Sequence, residues 1–264
     1  MKKALNTYLK TALRAAREAG ALQKRALGRA HTIHFKGEIN LVTEVDQACE
    51  KKIIGILSNA HPGHDILAEE AGMRDRSSEF RWFVDPLDGT TNFAHGYPVF
   101  CVSIGLAYRG ELVLGVVYDP TREEVFYATK GGGAWLNKRR IHVSKTARLK
   151  RSLLSTGFSY DLRKRTNNNF DHFLHFLKTS QAVRRDGAAA IDLCYVACGR
   201  YDGFWEMDLW PWDTSAGAVI LREAGGKVSD FKWRAFDPYG REILASNGRI
   251  HRPMLKGLKG LKKT

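Results

Sequence analysis

No apolar run in the 264-residue chain approaches the ~20 residues that a membrane-spanning helix needs, which excludes a span of that kind. The opening stretch, MKKALNTYLKTALRAAREAGAL, carries charges throughout and has no uninterrupted apolar segment. That pattern argues against a signal peptide and leads to the expectation of a cytoplasmic protein. Cysteine is scarce, with four residues. Cys49 and Cys101 stand alone, and Cys194 and Cys198 sit four apart in AAIDLCYVACGR, a stretch of helical pattern. No second Cys or His pair accompanies them, so small buried apolar residues are expected and not a metal site. There is no internal repeat and no low-complexity linker. Neither G-x-S-x-G nor the P-loop pattern G-x-x-x-x-G-K-[ST] occurs, which leaves those phosphate chemistries without support. No RNP or other nucleic-acid motif is present either.

What is present is an ordinary globular composition, 44% apolar and 27% charged, in a length that suits one large domain or two packed halves. The charge is unbalanced: 42 basic against 28 acidic residues, a formal +14. Such a surplus attracts anions, whether nucleic acid, acidic membranes or phosphorylated metabolites. Much of it lies in NKRRIHVSKTARLKR and LKGLKGLKKT, which read equally well as solvated surface. Charge alone therefore names no partner.

Leu5, Leu9, Ala12, Leu13, Ala16 and Ala19 recur at helical spacing, so an amphipathic helix opens the chain. NLVTEVDQACEKKIIGILSNAHPG predicts a second helix, with Thr43 as N-cap and Asp46 in the third position of a capping box. From Phe80 to Val143 short β-branched runs, broken at Arg109-Gly110, Asp119-Pro120 and Asn137-Lys138, predict an antiparallel meander. After about residue 150, strand and helix patterns alternate, which implies layered sheets and helices.

The stretch WFVDPLDGTTNF, residues 82–93, holds the chemistry. An apolar strand is expected to end at Asp85, with Pro86 in a turn, because proline cannot continue a ladder. Gly89 permits a tight turn, and Thr90-Thr91-Asn92 lies where a helix would start. Two carboxylates beside a helix start make a place where a cation and an anionic phosphate meet. Unpaired, they would repel, so a cation has a physical purpose there. An acidic turn that caps a helix fits the same residues. An EF-hand fails, because the twelfth residue counted from Asp85 is Gly96 and not Glu. An aspartyl-phosphate enzyme would need a nucleophilic Asp and a separate lysine, and this stretch alone leaves that alternative open. Further along, DILAEEAG carries Glu69 and Glu70, and PWDTSAGAVILREAGG places Asp213 at a helix start. Each by itself also reads as a solvated turn or an N-cap.

Taken together, VDPLDGTTNF and WDTSAGAVILREAGG resemble the two signature motifs of the inositol monophosphatase family, and AEEAG and NLVTEVDQ match its other blocks in the right order. The resemblance spans roughly residues 5 to 250. It implies a Mg²⁺-dependent, lithium-sensitive phosphomonoesterase with the five-layer αβαβα sandwich of the sugar-phosphatase fold, an α/β (α+β) class. Residues 1–145 would form an α+β half with the antiparallel sheet and most metal ligands. Residues 146–264 would form an α/β half with Asp213 and substrate contacts, the two making one catalytic unit. By the same resemblance, Glu69, Asp85 and the Leu87 carbonyl would bind a first metal, and Asp85, Asp88 and Asp213 a second. A third, weakly held ion would lean on Glu69 and water. Gly89 and Thr90 would offer backbone N–H groups to the phosphate, and Thr90 with Asp46 and Glu69 would orient the attacking water. Asp88, Ala189 and Glu206 would face the substrate, Glu206 through its hydroxyls. The resemblance also implies a homodimer.

An all-carboxylate ligand set favours Mg²⁺ or Mn²⁺ over Zn²⁺. Three positions depart from the family: Asn40 where Asp is usual, Asp186 beside the substrate loop, and Ala188 where many bacterial relatives have Ser. They bear on substrate preference and not on the chemistry. The expected reaction is hydrolysis of a small polyol phosphate, myo-inositol 1-phosphate first. The alternatives on the same scaffold are fructose-1,6-bisphosphate, histidinol phosphate and 3′(2′),5′-bisphosphate nucleotides. A nucleic-acid-associated role is compatible with the charge and has no motif behind it.

Overall fold

The structure is a computed structural model that describes residues 2–29, 33–35, 41–160, 162 and 168–259. In chain order the first half runs α1 (Lys2–Ala26), β1 (Ile33–Phe35), β2 (Leu41–Thr43), α2 (Glu44–Ala60), β3 (Asp65–Ala68), β4 (Gly72–Arg74), β5 (Phe80–Asp88), α3 (Thr90–Ala94), β6 (Cys101–Tyr108), β7 (Glu111–Asp119), β8 (Glu124–Thr129), β9 (Gly133–Leu136) and β10 (Arg139–Arg140). The second half runs β11 (Leu153–Thr156), α4 (Phe170–Thr179), β12 (Ala182–Arg184), α5 (Ala189–Ala197), β13 (Gly203–Met207), α6 (Pro211–Glu223), β14 (Lys227–Ser229), β15 (Glu242–Ser246) and α7 (His251–Lys259).

Eight strands form one sheet in the order β10-β9-β8-β7-β6-β5-β3-β4, and five form another in the order β12-β11-β13-β15-β14. The predicted meander is β5 to β10, with Asn137 and Lys138 both in left-handed backbone at the last turn. Helices α1 and α2 cover one face of the large sheet, α5 and α6 fill the space between the sheets, and α4 and α7 cover the outer face of the small sheet. The apolar core divides accordingly into three clusters, one under α1 and α2, one around α5 and α6, and one under α4 and α7. This is the expected five-layer αβαβα order.

The helix predicted from residue 40 starts at Glu44. Leu41–Thr43 is a strand that pairs antiparallel with Ile33–Phe35. Thr43 caps α2 as expected: its Oγ1 accepts from the Val45 and Asp46 amides, and the Asp46 carboxylate accepts from the Thr43 amide in return. The expectation that β5 stops at Asp85 is wrong. The strand continues to Asp88 along β6, past its last pair with the parallel strand β3, Ala68↔Val84, with a register shift between the pairs Asp85↔Ser103 and Asp88↔Cys101. Pro86 falls inside this bulge, where no ladder N–H is required of it. Its carbonyl accepts a 2.7 Å hydrogen bond from Gln23 Nε2 of α1.

Glycines let α6 sit directly on the large sheet. A Cβ on Gly115 of β7 would lie 2.2 Å from the Ala216 carbonyl oxygen, and one on Gly105 of β6 would lie 2.8 Å from Ser215 Cβ. Ser103 Oγ adds a 3.0 Å bond to the Trp212 carbonyl. This close seat fixes the start of α6, and with it Asp213, above the end of β5. Gly115→Ala should therefore destabilise the fold by about 1–3 kcal/mol through overpacking. Gly55→Ala in α2, where a Cβ meets nothing within 4 Å, should be neutral or stabilising. Denaturant midpoints of the two variants test this contrast.

Candidate active site

The bulge in β5 turns three consecutive features toward one point. Asp85 is buried, and its Oδ1 accepts a 2.9 Å hydrogen bond from the Leu87 amide. Asp88, partly buried, accepts a 2.7 Å bond from the Ala190 amide at the start of α5. Gly89 follows at φ 94°, where a Cβ would lie 2.8 Å from the Val99 carbonyl oxygen, so only glycine fits this turn. Helix α3 then begins at Thr90, and first-turn N–H groups of a helix have no acceptor within it.

Asp213 arrives from the other half of the chain. Its Oδ2 accepts a 2.7 Å bond from the Trp210 amide at the head of α6, which fixes the carboxylate. Asp213 stands beside Asp85, and the charge of each acts in the surroundings of the other. Desolvation and the charges of Glu69, Asp88 and Asp213 hold the Asp85 carboxyl well above its ordinary range. Desolvation, with Asp213 beside it, pushes Asp88 up to about 7. Asp213 also rises to about 7, from desolvation first and from the charge of Glu69. Among the described residues no Lys or Arg pairs with Asp85, Asp88 or Asp213. No set of three or more acidic, His or Cys side chains among them is closed to ligand distance. These are like charges held near one another, and burial and mutual repulsion raise their affinity for a proton. A divalent cation would neutralise them more completely, and the donors are all oxygen, so the residues fit a hard cation.

Thr90 links this cluster to α2. Its Oγ1 lies 3.0 Å from both Asp46 Oδ1 and the Leu87 carbonyl oxygen. One hydroxyl proton can serve only one of these acceptors at a time. Asp46 is fully buried, and its other oxygen accepts from Thr43 N at 2.8 Å and Thr43 Oγ1 at 2.5 Å. Desolvation raises its carboxyl pKa. The same carboxylate thus closes the capping box of α2 and holds Thr90. Glu69 follows β3, its amide bonded to the Val84 carbonyl at 3.1 Å, and its charge acts on Asp85 and Asp213.

Glu206 on β13 is buried, and desolvation followed by Asp213 and Asp88 holds its pKa well above the usual value. The expected site residues of the two halves therefore share one electrostatic neighbourhood. Ala189 stands in the first turn of α5, and its amide is directed at Asp88. Ala188 is the N-cap residue of that helix. Asp186 is engaged by the Tyr201 hydroxyl, and its carbonyl accepts a 2.7 Å bond from Asn92 Nδ2. Asn40 lies outside the described residues.

Several residues escaped the sequence reading. Tyr160, 46% exposed, hydrogen-bonds to Thr91 and feels the charges of Asp88, Glu69 and Asp213. Nothing in its sequence neighbourhood signals this. Asp192 is buried in α5, its Oδ1 without a partner among the described residues. Gln23 was detectable: it continues the buried stripe of Ala12, Ala16 and Ala19 as a polar residue on an apolar face.

A profile of the inositol monophosphatase family matches residues 4–260. The chain belongs to this family. It is 48% identical over 256 residues to an inositol-1-monophosphatase of Synechocystis sp., covering 96% of this chain and 89% of that protein. It is 47% identical to a Pseudomonas aeruginosa protein named Nus factor SuhB, covering 95% of each. Among solved structures, the inositol monophosphatase of Anabaena (Nostoc) sp. superposes with a TM-score of 0.91 at 44% identity, covering 98% of each chain. The protein is thus a phosphatase that hydrolyses phosphate monoesters, and the family is generally metal-dependent.

Cation binding to this phosphatase should depend on pH. Carboxyl groups raised in the folded state hold protons that the unfolded chain has already lost, so their ionisation destabilises the metal-free protein as pH rises through about 7. Half-buried His61, His64 and His172 and buried His251, lowered by desolvation, act in the opposite sense at lower pH. That background is common to both states. The cation-induced rise in melting temperature should therefore grow between about pH 5.5 and about pH 8, because the cation binds the ionised site. Calorimetry with and without Mg²⁺ measures it, and a shift that does not change with pH would exclude these carboxylates as the ligands.

Proposed function

We propose that the substrate of this phosphatase is the phosphate of a small polyol, myo-inositol 1-phosphate before others, hydrolysed with Mg²⁺ by in-line attack of water without a phosphoenzyme. The observation that carries this reading is the position of Glu206. A buried acid able to accept hydrogen bonds from hydroxyl groups stands within electrostatic reach of Asp88 and Asp213. The Synechocystis relative, named inositol-1-monophosphatase, supports the choice of polyol.

Glu69, Asp85 and the Leu87 carbonyl would hold one Mg²⁺, and Asp85, Asp88 and Asp213 a second. A third would rest on Glu69 and water. Mn²⁺ suits the same oxygen donors. When bound, such ions supply Lewis-acid activation of water and neutralise charge on the phosphate. The chain's own part is positional. Gly89 and Thr90 present their amides to the phosphate oxygens, as a helix start does for anions. The Thr90 hydroxyl, held against Asp46, orients the attacking water, and Glu69 takes part in removing its proton. Glu206 and the backbone at Ala189 set the leaving polyol.

A parallel assay tests the substrate. Of myo-inositol 1-phosphate, fructose 1,6-bisphosphate, histidinol phosphate and a 3′,5′-bisphosphate nucleotide, the first should show the highest kcat/KM. A higher value for any other replaces this reading. Relatives named Nus factor SuhB and the +14 charge favour a second role in association with nucleic acid. Salt-dependent RNA binding by the same preparation would support it.

Thr90→Ala should lower kcat by roughly 10²–10⁴ and leave the Mg²⁺ half-saturation nearly unchanged, because the hydroxyl acts on the water. Asp85→Asn should remove turnover at any Mg²⁺ concentration. Recovery of Thr90→Ala by excess Mg²⁺ would make Thr90 a support of the cation site.

A further inference from the structure

We propose that Asn169 is the positioning residue for substrate selectivity, because it fixes the two backbone segments that bracket Glu206. The proposal rests on the reading of Glu206 as acceptor of substrate hydroxyls. Asn169 occupies the N-cap of α4, yet its side chain makes no capping bond. It is 3% exposed and turns into the small sheet. Its Nδ2 donates to Thr156 Oγ1 and to the Gly157 carbonyl, both at 2.7 Å, and its Oδ1 accepts from Trp205 Nε1 at 2.7 Å. Thr156 Oγ1 in turn donates to the Trp205 carbonyl at 2.6 Å. The result is a closed ring of bonds among α4, β11 and β13.

Glu206 is the residue after Trp205, and its carboxylate lies against Gly157. A Cβ on Gly157 would stand 2.2 Å from Glu206 Oε1. Gly157 has no sheet partner to hold it there. The last register pairs of β11 are Ser155↔Arg184 with β12 and Thr156↔Trp205 with β13, and Gly157 lies beyond both. The Asn169 carboxamide supplies the missing restraint. With it, the Gly157 carbonyl is tied through Asn169 to the Trp205 ring, and the Gly157 backbone is held against the Glu206 carboxylate. Without it, Gly157 is restrained only through its neighbour Thr156, and Glu206 loses a fixed wall beside its carboxylate. The residues proposed to hold cations lie on β5, on α6 and just after β3, and take no part in this ring.

The test uses the Mg²⁺-loaded full chain with two substrates, myo-inositol 1-phosphate and p-nitrophenyl phosphate, which has no hydroxyls for Glu206 to read. Asn169→Ala should raise KM for the inositol ester about tenfold. Its kcat, its Mg²⁺ half-saturation and its KM for the aryl ester should stay within about twofold. Trp205→Phe, which removes one bond and keeps a buried ring, should shift selectivity in the same direction by less, and serves should Asn169→Ala not fold. Equal changes on both substrates, or none, in whichever variant folds would overturn the proposal. Glu206→Gln separates it from the reading beneath. If Glu206→Gln leaves the substrate ratio unchanged, the role of Glu206 fails and the proposal with it. If Glu206→Gln lowers the ratio while Asn169→Ala and Trp205→Phe do not, only the positioning role fails.

Discussion

Like charges held close together are the constraint around which this molecule is arranged. Asp85, Asp88 and Asp213 come from the end of β5 and the head of α6; Asp88 and Asp213 raise the proton affinity of Asp85, and Asp213 raises that of Asp88. Among the described residues no Lys or Arg neutralises them as an ion pair would. Carboxylates in such a cluster are costly unless a proton or a cation joins them. A fold that keeps them together must hold each by bonds that do not remove its charge. Backbone amides do this: Leu87 for Asp85, Ala190 for Asp88, Trp210 for Asp213. Each amide favours the ionised form and leaves the other lone pairs available for a cation.

The scaffold supplies the precision that this demands. The close seat of α6 on Gly105 and Gly115 removes the slack a side-chain layer would introduce between sheet and helix. Asp46 ties the start of α2 to Thr90, so that the capping of one helix and the orientation of the Thr90 hydroxyl become a single arrangement. Asn92 spans from the Val99 carbonyl to the Asp186 carbonyl and so joins the two halves beside the site. These contacts lie in loops and helix starts, where the chain is otherwise least constrained.

What could be read from the sequence depended on range. Thr43 and Asp46 were legible as a capping box because that motif is local. Asp85, Asp88 and Asp213 were legible because their motifs are. The partnership of Asp46 with Thr90, 44 residues apart, has no local signal and was expected from the family resemblance alone. The same holds for Gln23 and Pro86, 63 residues apart. The strand end expected at Asp85 failed for a related reason. Proline does end an ordinary ladder, but here a bulge absorbs it, and the strand resumes because Asp88 still finds Cys101 opposite. A local rule was overridden by pairing that no local pattern announces. Gly157 shows the limit most clearly: its need is set by a carboxylate 49 positions away.

The charge of the molecule follows from the same separation of inside from outside. Asp46, Glu50, Asp65, Asp85, Asp119, Asp192, Asp202, Glu206 and Asp230 are buried, whereas among the described residues no Lys or Arg is. Much of the acidic content is thus inside, and the exterior is more basic than the formal +14 suggests. Such a field draws phosphate esters toward the surface and speeds their encounter with the site, an effect that weakens with salt. A polyanion would be drawn by it as well, so the field does not select. Selection falls to the buried residues of the site. The buried acids would repel either one, and a bound cation reverses that sign at the centre alone. Attraction at long range and acceptance at short range are therefore controlled by different residues.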